Sequence, residues 1–140
     1  MIAPVALPAA RNGSSNASYV AMAGRILIAA IFLLSGFSKA ADPASALGYI
    51  NSVGLPFPNL ALAGAIAIEL IGGLALVLGY RTRLVATVLA LFSLVTAFTF
   101  HANLADQNQF IHFFKNVAMA GGLLQVVAFG GGALSLDGRR

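Results

Sequence analysis

Four long apolar stretches dominate the chain and alternate with short polar ones, and they cover residues 19–38, 60–79, 84–100 and 110–130. Each has about 17–21 residues, the length that a helix needs to cross about 30 Å of hydrocarbon. Their apolar residues run continuously and do not alternate, and lipid admits only helices or closed barrels. The pattern therefore predicts an all-α integral membrane protein, a four-helix bundle with up-down topology.

The polar stretches differ in what they predict. Residues 1–18 contain two prolines and a cluster of Gly, Ser and Asn, which predicts a disordered tail before a domain over residues 19–137. The loop after the first apolar stretch contains "ASALGYINSVG", which predicts a short interfacial helix. A cleaved signal peptide is the alternative for the first stretch. It is disfavoured because Arg25 interrupts the stretch and the preceding tail is long, with one basic residue.

The composition supports the membrane class. The chain of 140 residues is 59% hydrophobic and 9% charged, whereas a soluble domain has about 25% charged residues. The absence of cysteine excludes disulfides, thiol redox chemistry and Cys-ligated metal. The net charge of +4 does not indicate nucleic-acid binding, because the Arg and Lys residues are scattered without a basic run.

The basic residues predict the orientation in the membrane. Lys39 alone flanks one set of ends of the apolar stretches. The opposite set has Arg11, Arg81, Arg83, Arg139 and Arg140. Since Lys and Arg accumulate in cytoplasmic loops, both termini are predicted to be cytoplasmic.

One carboxylate, Glu69, lies near the middle of the second apolar stretch. A charge at that depth is costly and must be neutralised, hydrated or used. With a rise of 1.5 Å per residue, Glu69 lies in depth between Lys115 and Arg25, each about 6 Å away along the membrane normal. We predict that one of these cations is the counter-charge, and the spacing leaves open which. Small neighbours at Ala65 and Gly72 indicate that Glu69 faces the bundle interior.

Other polar residues lie on helix faces that can converge with Glu69 on an interior site. The candidates for a ligand or proton site are Arg25, Glu69, His101, Lys115 and Asn116, with Lys39, Asn103, His112 and Gln125 as secondary candidates. The two histidines, with no carboxylate placed between them, do not predict a metal site. No catalytic residue is assigned. In the alternative interpretation, the buried charges only fix the packing of the bundle.

Four motifs, taken in order, resemble the DoxX family over about residues 20–137. The first and second helices of that family are similar to "GRILIAAIFLLSGFSKAAD" and "ELIGGLALVLGYRTRLVA". Its fourth helix and Gly-rich ending are similar to "FKNVAMAGGLLQVVAFGGGALSLD", and "TFHANLADQNQF" fits the connecting loop. The residues at motif positions of the family are Arg25, Lys39, Glu69, His101, Lys115 and Asn116.

The resemblance implies a small four-helix, multi-pass protein of the bacterial inner membrane. The family takes its name from a subunit of a thiosulfate:quinone oxidoreductase, and some members are linked to membrane-associated oxidative-stress complexes. The resemblance thus implies a subunit or accessory of a membrane redox system. Quinone is the candidate cofactor, and the implied partners are the lipid bilayer and redox proteins.

Two other function classes stay open. A non-enzymatic scaffold or assembly factor would use Glu69 only to hold the bundle together, although the short loops leave little surface for a partner. A small proton-coupled exporter would share four helices and one intramembrane Glu with small multidrug transporters. Those transporters have the Glu in the first helix and a Trp in the pocket, and this chain has neither feature. A homo-oligomer is compatible with each hypothesis.

Overall fold

The computed structural model describes residues 13–140, and every regular element in that range is helical. Four of the helices are long and apolar enough to cross a membrane, which confirms the predicted integral membrane helix bundle. The helices are α1 (Gly13–Ala41), α2 (Pro43–Ser52), α3 (Pro58–Leu78), α4 (Thr82–Phe100) and α5 (Gln107–Phe129), followed by the short 3-10 helix Asp137–Arg139.

The largest departure from the prediction is the start of α1. Residues 13–18, which the sequence predicts as part of a tail, belong to this helix. Extending a formed helix by one residue is much easier than nucleating a new one, so the weakly helix-forming "GSSNAS" continues the apolar helix that follows it. Residues 1–12 of the predicted tail lie outside the described residues.

The short helix predicted after the first apolar stretch is confirmed as α2 (its position at the membrane interface stays a prediction). Asp42 separates it from α1 and caps it, because its side chain accepts a hydrogen bond of 3.1 Å from the Ser45 amide. Near the other end of α2, the Tyr49 ring stacks on Phe100 of α4 with 5.4 Å between centroids. The Tyr49 hydroxyl also donates to the Phe100 carbonyl over 3.3 Å. These contacts hold α2 across one end of the bundle.

The transmembrane helices pack as two pairs. α1 lies mainly against α3, α4 lies mainly against α5, and the pairs meet chiefly where α3 contacts α4. Gly73 lets α1 approach α3 closely, since a Cβ at that position would lie 2.9 Å from the Leu33 side chain. The buried core between the pairs includes Ala29, Phe32, Leu76, Leu89 and Leu123.

The two ends of the bundle differ in charge. At the basic end, the ends of α3 and α5 meet the starts of α1 and α4, and the arginines at this end are Arg81, Arg83, Arg139 and Arg140. The opposite end, which we call the cavity end, contains α2, Lys39 and the loop between α4 and α5. The bundle thus presents one strongly cationic end and one end that surrounds a cavity.

Candidate functional site

A cavity of about 580 Å³ lies between the helices at the cavity end. All five helices contribute to its wall, and its volume is in the range of small-molecule sites. Phe32, Ile50, Phe92 and Met119 supply apolar surface. The polar side chains of the wall include Ser35, Lys39, Tyr49, Glu69, Ser93, Thr96, His101, Lys115 and Asn116. Most of the predicted site residues therefore surround one cavity.

Glu69 is paired in this wall with Lys39. Glu69 is 4% exposed, and its carboxylate oxygens lie 3.0 and 3.1 Å from the Lys39 ammonium. The Ser35 hydroxyl accepts from Lys39 over 2.6 Å and donates to Glu69 over 2.9 Å. Each group therefore has hydrogen-bond partners, and the intramembrane charge of Glu69 is neutralised.

The prediction that Arg25 or Lys115 is the counter-charge of Glu69 is therefore wrong, because neither residue pairs with it. Lys39 is attached near the end of α1, but its four-carbon side chain reaches deeper than its Cα position suggests. Gly36 shortens the distance further: a Cβ there would lie 3.0 Å from the Glu69 Cβ. The position of Lys39 along the sequence does not show how far its side chain reaches.

Arg25 lies at the basic end and does not line the cavity. It is 1% exposed, and it donates to the carbonyls of Leu76 over 2.8 Å and Val77 over 2.9 Å. It also donates to the Leu134 carbonyl over 2.5 Å. The last carbonyls of a helix lack partners within the helix. Arg25 therefore ties α1 to the end of α3 and to the segment after α5.

The two histidines join α4 to α5 at the cavity end. The His101 ring stacks on the His112 ring with centroids 5.1 Å apart, and its Nδ1 lies 2.9 Å from the Gln109 side-chain oxygen. His112 Nδ1 lies 3.0 Å from the Lys115 ammonium. His101 and Lys115 line the cavity, whereas His112 supports them from outside it. Lys115 is exposed, so it contributes a cation at the rim.

Asn116 differs from Glu69 because its side chain has no hydrogen-bond partner within the described residues. It is 7% exposed, it lines the cavity, and no residue in the described range hydrogen-bonds its carboxamide. The buried side-chain nitrogen without a partner in residues 13–140 is the Nε of Arg25, so the Asn116 carboxamide is accessible from the cavity. A molecule in the cavity is in a position to satisfy it.

Two secondary candidates are not part of this site. Asn103 is exposed in the loop between α4 and α5, Gln125 is exposed on α5, and neither lines the cavity. Sequence reasoning missed Ser35 and Tyr49. The spacing of four residues between Ser35 and Lys39 was the available signal, because it puts both on one helix face. Across residues 13–140, no group of three or more His, Cys, Asp or Glu is arranged to hold a metal ion.

Comparisons with known proteins identify relatives in the bacterial inner membrane. The chain is 37% identical over 116 residues to the inner membrane protein YqjF of Escherichia coli (strain K12), which covers 83% of this chain and 88% of the relative. It is 35% identical over 120 residues to the inner membrane protein YphA of the same organism, covering 82% and 86%. No solved structure gives a significant match. With four transmembrane helices and these relatives, the protein is a multi-pass inner membrane protein. The DoxX family model matches residues 20–102, and the chain belongs to the DoxX family.

Proposed function

We propose that this protein binds a quinone-type ligand in the cavity beside Glu69 and serves as a membrane subunit or accessory of a redox system. The observation that supports this most directly is the Asn116 carboxamide, which faces the cavity and has no hydrogen-bond partner in the described part of the chain. A quinone presents carbonyl oxygens as acceptors on an apolar ring. The amide N–H groups of Asn116 would donate to a carbonyl, while Phe32 and Phe92 would contact the ring.

Access from the bilayer also fits a lipid-soluble ligand. Ile31 and Val95 both line the cavity, and both are exposed on the outside of the bundle. The wall is therefore thin at these positions and faces the lipid phase. A quinone carried in the membrane would reach the site without crossing water.

The charged residues of the wall are suited to hold protons. Reduction of a quinone to a quinol takes up two electrons and two protons, and in this proposal a partner redox protein supplies the electrons. Glu69 and Lys39 share hydrogen bonds through Ser35, so a proton can be held between them. Lys115 supplies a second cationic donor at the rim. These residues would orient the ligand and stabilise negative charge on its oxygens.

The test measures thermal unfolding of the detergent-purified protein with and without decylubiquinone. A ligand that binds only the folded state stabilises it by about 2.7 kcal/mol at a hundredfold excess over Kd, so the parent is expected to melt at a higher temperature. Asn116→Leu should melt like the parent without ligand and lose most of the shift. Gln125→Leu is the matched control, because it removes a carboxamide from the same helix away from the cavity, and it should keep the shift.

Two results would contradict the proposal. One is a parent protein that decylubiquinone does not stabilise. The other is an equal loss of the shift in Asn116→Leu and Gln125→Leu, which would mean that the cavity is not the binding site. In the first case, affinity purification for a stoichiometric protein partner would test the assembly-factor hypothesis.

A further inference from the structure

A second hollow lies at the basic end, remote from the cavity. Its volume is about 580 Å³, and its wall includes Arg81, Arg83 and Arg140 together with the glycine loop after α5. The loop backbone forms a low floor, because the residues at 130–132 are all glycine. Arg83 lies against this floor: a Cβ on Gly130 would be 3.4 Å from the Arg83 Nε. Three guanidinium groups therefore surround one shallow site.

The positive charge of this hollow is not neutralised by ion pairing. Asp137 also lines the hollow, but its carboxylate accepts hydrogen bonds from the Arg81 amide, the Thr82 amide and the Thr82 hydroxyl, over 2.9, 2.7 and 2.6 Å. It is thus occupied in capping α4. Between residues 13 and 140, the salt bridge of Lys39 with Glu69 is the only one. None of the three arginines forms a salt bridge in that range, although Arg140 attracts the Asp137 carboxylate electrostatically.

Arg81 has a backbone conformation that favours glycine. Its φ is +43°, in the left-handed region, where a glycine would fit with less strain. Gly79, two residues earlier, has φ +69°. Position 81 has an arginine in place of a glycine, and this arginine is part of the wall of the hollow. Backbone strain of this kind indicates a use for the side chain that offsets it.

The surroundings indicate a lipid rather than a free anion. Leu84 is part of the wall and is 57% exposed, and Phe129 at the end of α5 is 79% exposed. Both belong to transmembrane helices, so these side chains face acyl chains. A ligand in this position contacts guanidinium groups on one side and hydrocarbon on the other. Guanidinium groups bind phosphate oxygens with two parallel hydrogen bonds.

We propose that this hollow binds the phosphodiester headgroup of an anionic phospholipid, with Arg81, Arg83 and Arg140 as its cationic ligands. Basic pockets between transmembrane helices are suited to such headgroups. Arg140 is held beside the membrane interface by the Tyr80 ring, with its guanidinium carbon 5.3 Å from the ring centre. The bound lipid would join the start of α4 to the end of α5. This proposal is independent of the quinone site.

The test uses native mass spectrometry of the full-length protein in detergent, with dioleoyl-phosphatidylglycerol and dioleoyl-phosphatidylcholine as competing probes. The parent should retain phosphatidylglycerol preferentially. Arg83→Gln should weaken that retention about tenfold, the effect of losing a charge-assisted hydrogen-bond pair. Arg81→Gly should weaken it similarly while the melting temperature stays equal or rises, because glycine relieves the strained φ. Arg139→Gln is the matched control: it removes an arginine from the same end but not from the wall of the hollow.

Each other outcome overturns the proposal. Equal loss in Arg139→Gln would show that net charge, and not the hollow, attracts the lipid. Equal retention of phosphatidylcholine would show that the headgroup charge is not recognised. Displacement of phosphatidylglycerol by millimolar inorganic phosphate would show a free-anion site instead of a lipid site.

Discussion

Lys39 and Glu69 form a partly buried ion pair in the wall of the cavity. Removing two charges from water is expensive, and their attraction offsets this cost only when the geometry is good and the remaining hydrogen bonds are made. Here Ser35 provides those hydrogen bonds, and Lys39 keeps 29% of its side chain exposed. The pair therefore contributes modestly to stability and lies where it can act on a ligand.

We predict that Glu69→Gln lowers the free energy of unfolding by about 1–2 kcal/mol, because it leaves Lys39 without its anion. The double variant Lys39→Met with Glu69→Leu should recover this loss, since apolar replacement of an ion pair is often neutral. It should also lose the stabilisation by decylubiquinone. Thermal melting in detergent measures both effects. Equal melting of Glu69→Gln and the parent would show that the pair adds nothing measurable to stability.

Arg25 differs from Glu69 because its contacts are all with backbone carbonyls. Its fork of donors reaches the end of α3 on one side and Leu134 on the other. A lysine ammonium is a point charge and cannot span both. We predict that Arg25→Lys lowers the free energy of unfolding by about 2–3 kcal/mol, while quinone binding by the folded protein persists. Arg83→Lys, at an exposed site of the same end, should melt like the parent, and equal destabilisation of both would contradict the structural role of Arg25.

At the scale of elements, the segment after α5 caps the N-terminus of α4 through the side chain of Asp137. The three hydrogen bonds to Asp137, first of all the one from the Thr82 hydroxyl, hold the pKa of Asp137 below its usual value. Because the folded-state pKa is the lower one, the stabilisation is complete above the unfolded value of about 3.9 and is lost as pH falls through the folded pKa. Acid should therefore weaken the junction of α4 with the C-terminal segment.

We predict that Asp137→Ala lowers the free energy of unfolding by about 1–2 kcal/mol at pH 7, as expected for loss of a helix cap. The difference from the parent should stay constant above about pH 5 and shrink below about pH 4. Asp106→Ala is the comparison, because Asp106 caps α5 with a single hydrogen bond of 2.9 Å; it should cost less at pH 7. A difference that persists undiminished at pH 3 would mean that the carboxylate charge is not what stabilises the cap.

The elements were largely predictable from the sequence, and the pairing of their side chains was not. Continuous apolar stretches of membrane-spanning length specify the four long helices, and Asp42 with Pro43 marks the start of α2. Depth along a helix is also readable, but the rotation of each helix and the reach of a long side chain are set by packing. For this reason the sequence pointed to Arg25 and Lys115 beside Glu69, whereas Gly36 brings α1 close enough for Lys39.

For the molecule as a whole, the two-pair arrangement determines where the cavity lies. The pairs α1 with α3 and α4 with α5 meet closely near the basic end, where Leu76, Leu89 and Leu123 fill the core and Arg25 ties three segments together. Toward the other end the polar side chains of both pairs surround the cavity. The pairs do not fill this region with apolar side chains as they do near the basic end, and a cavity of about 580 Å³ is left between them.

The orientation of this molecule in the membrane decides which compartment each end faces. The arginines at the basic end predict that this end is cytoplasmic and that the cavity end faces the periplasm. The chain has no cysteine, so single-cysteine variants give an unambiguous signal. In intact cells, a membrane-impermeant maleimide should label Asn103→Cys at the cavity end. Ala133→Cys, exposed at the basic end, should react only after the cells are opened. Labelling of Ala133→Cys in intact cells would reverse the assignment and put the cavity on the cytoplasmic side.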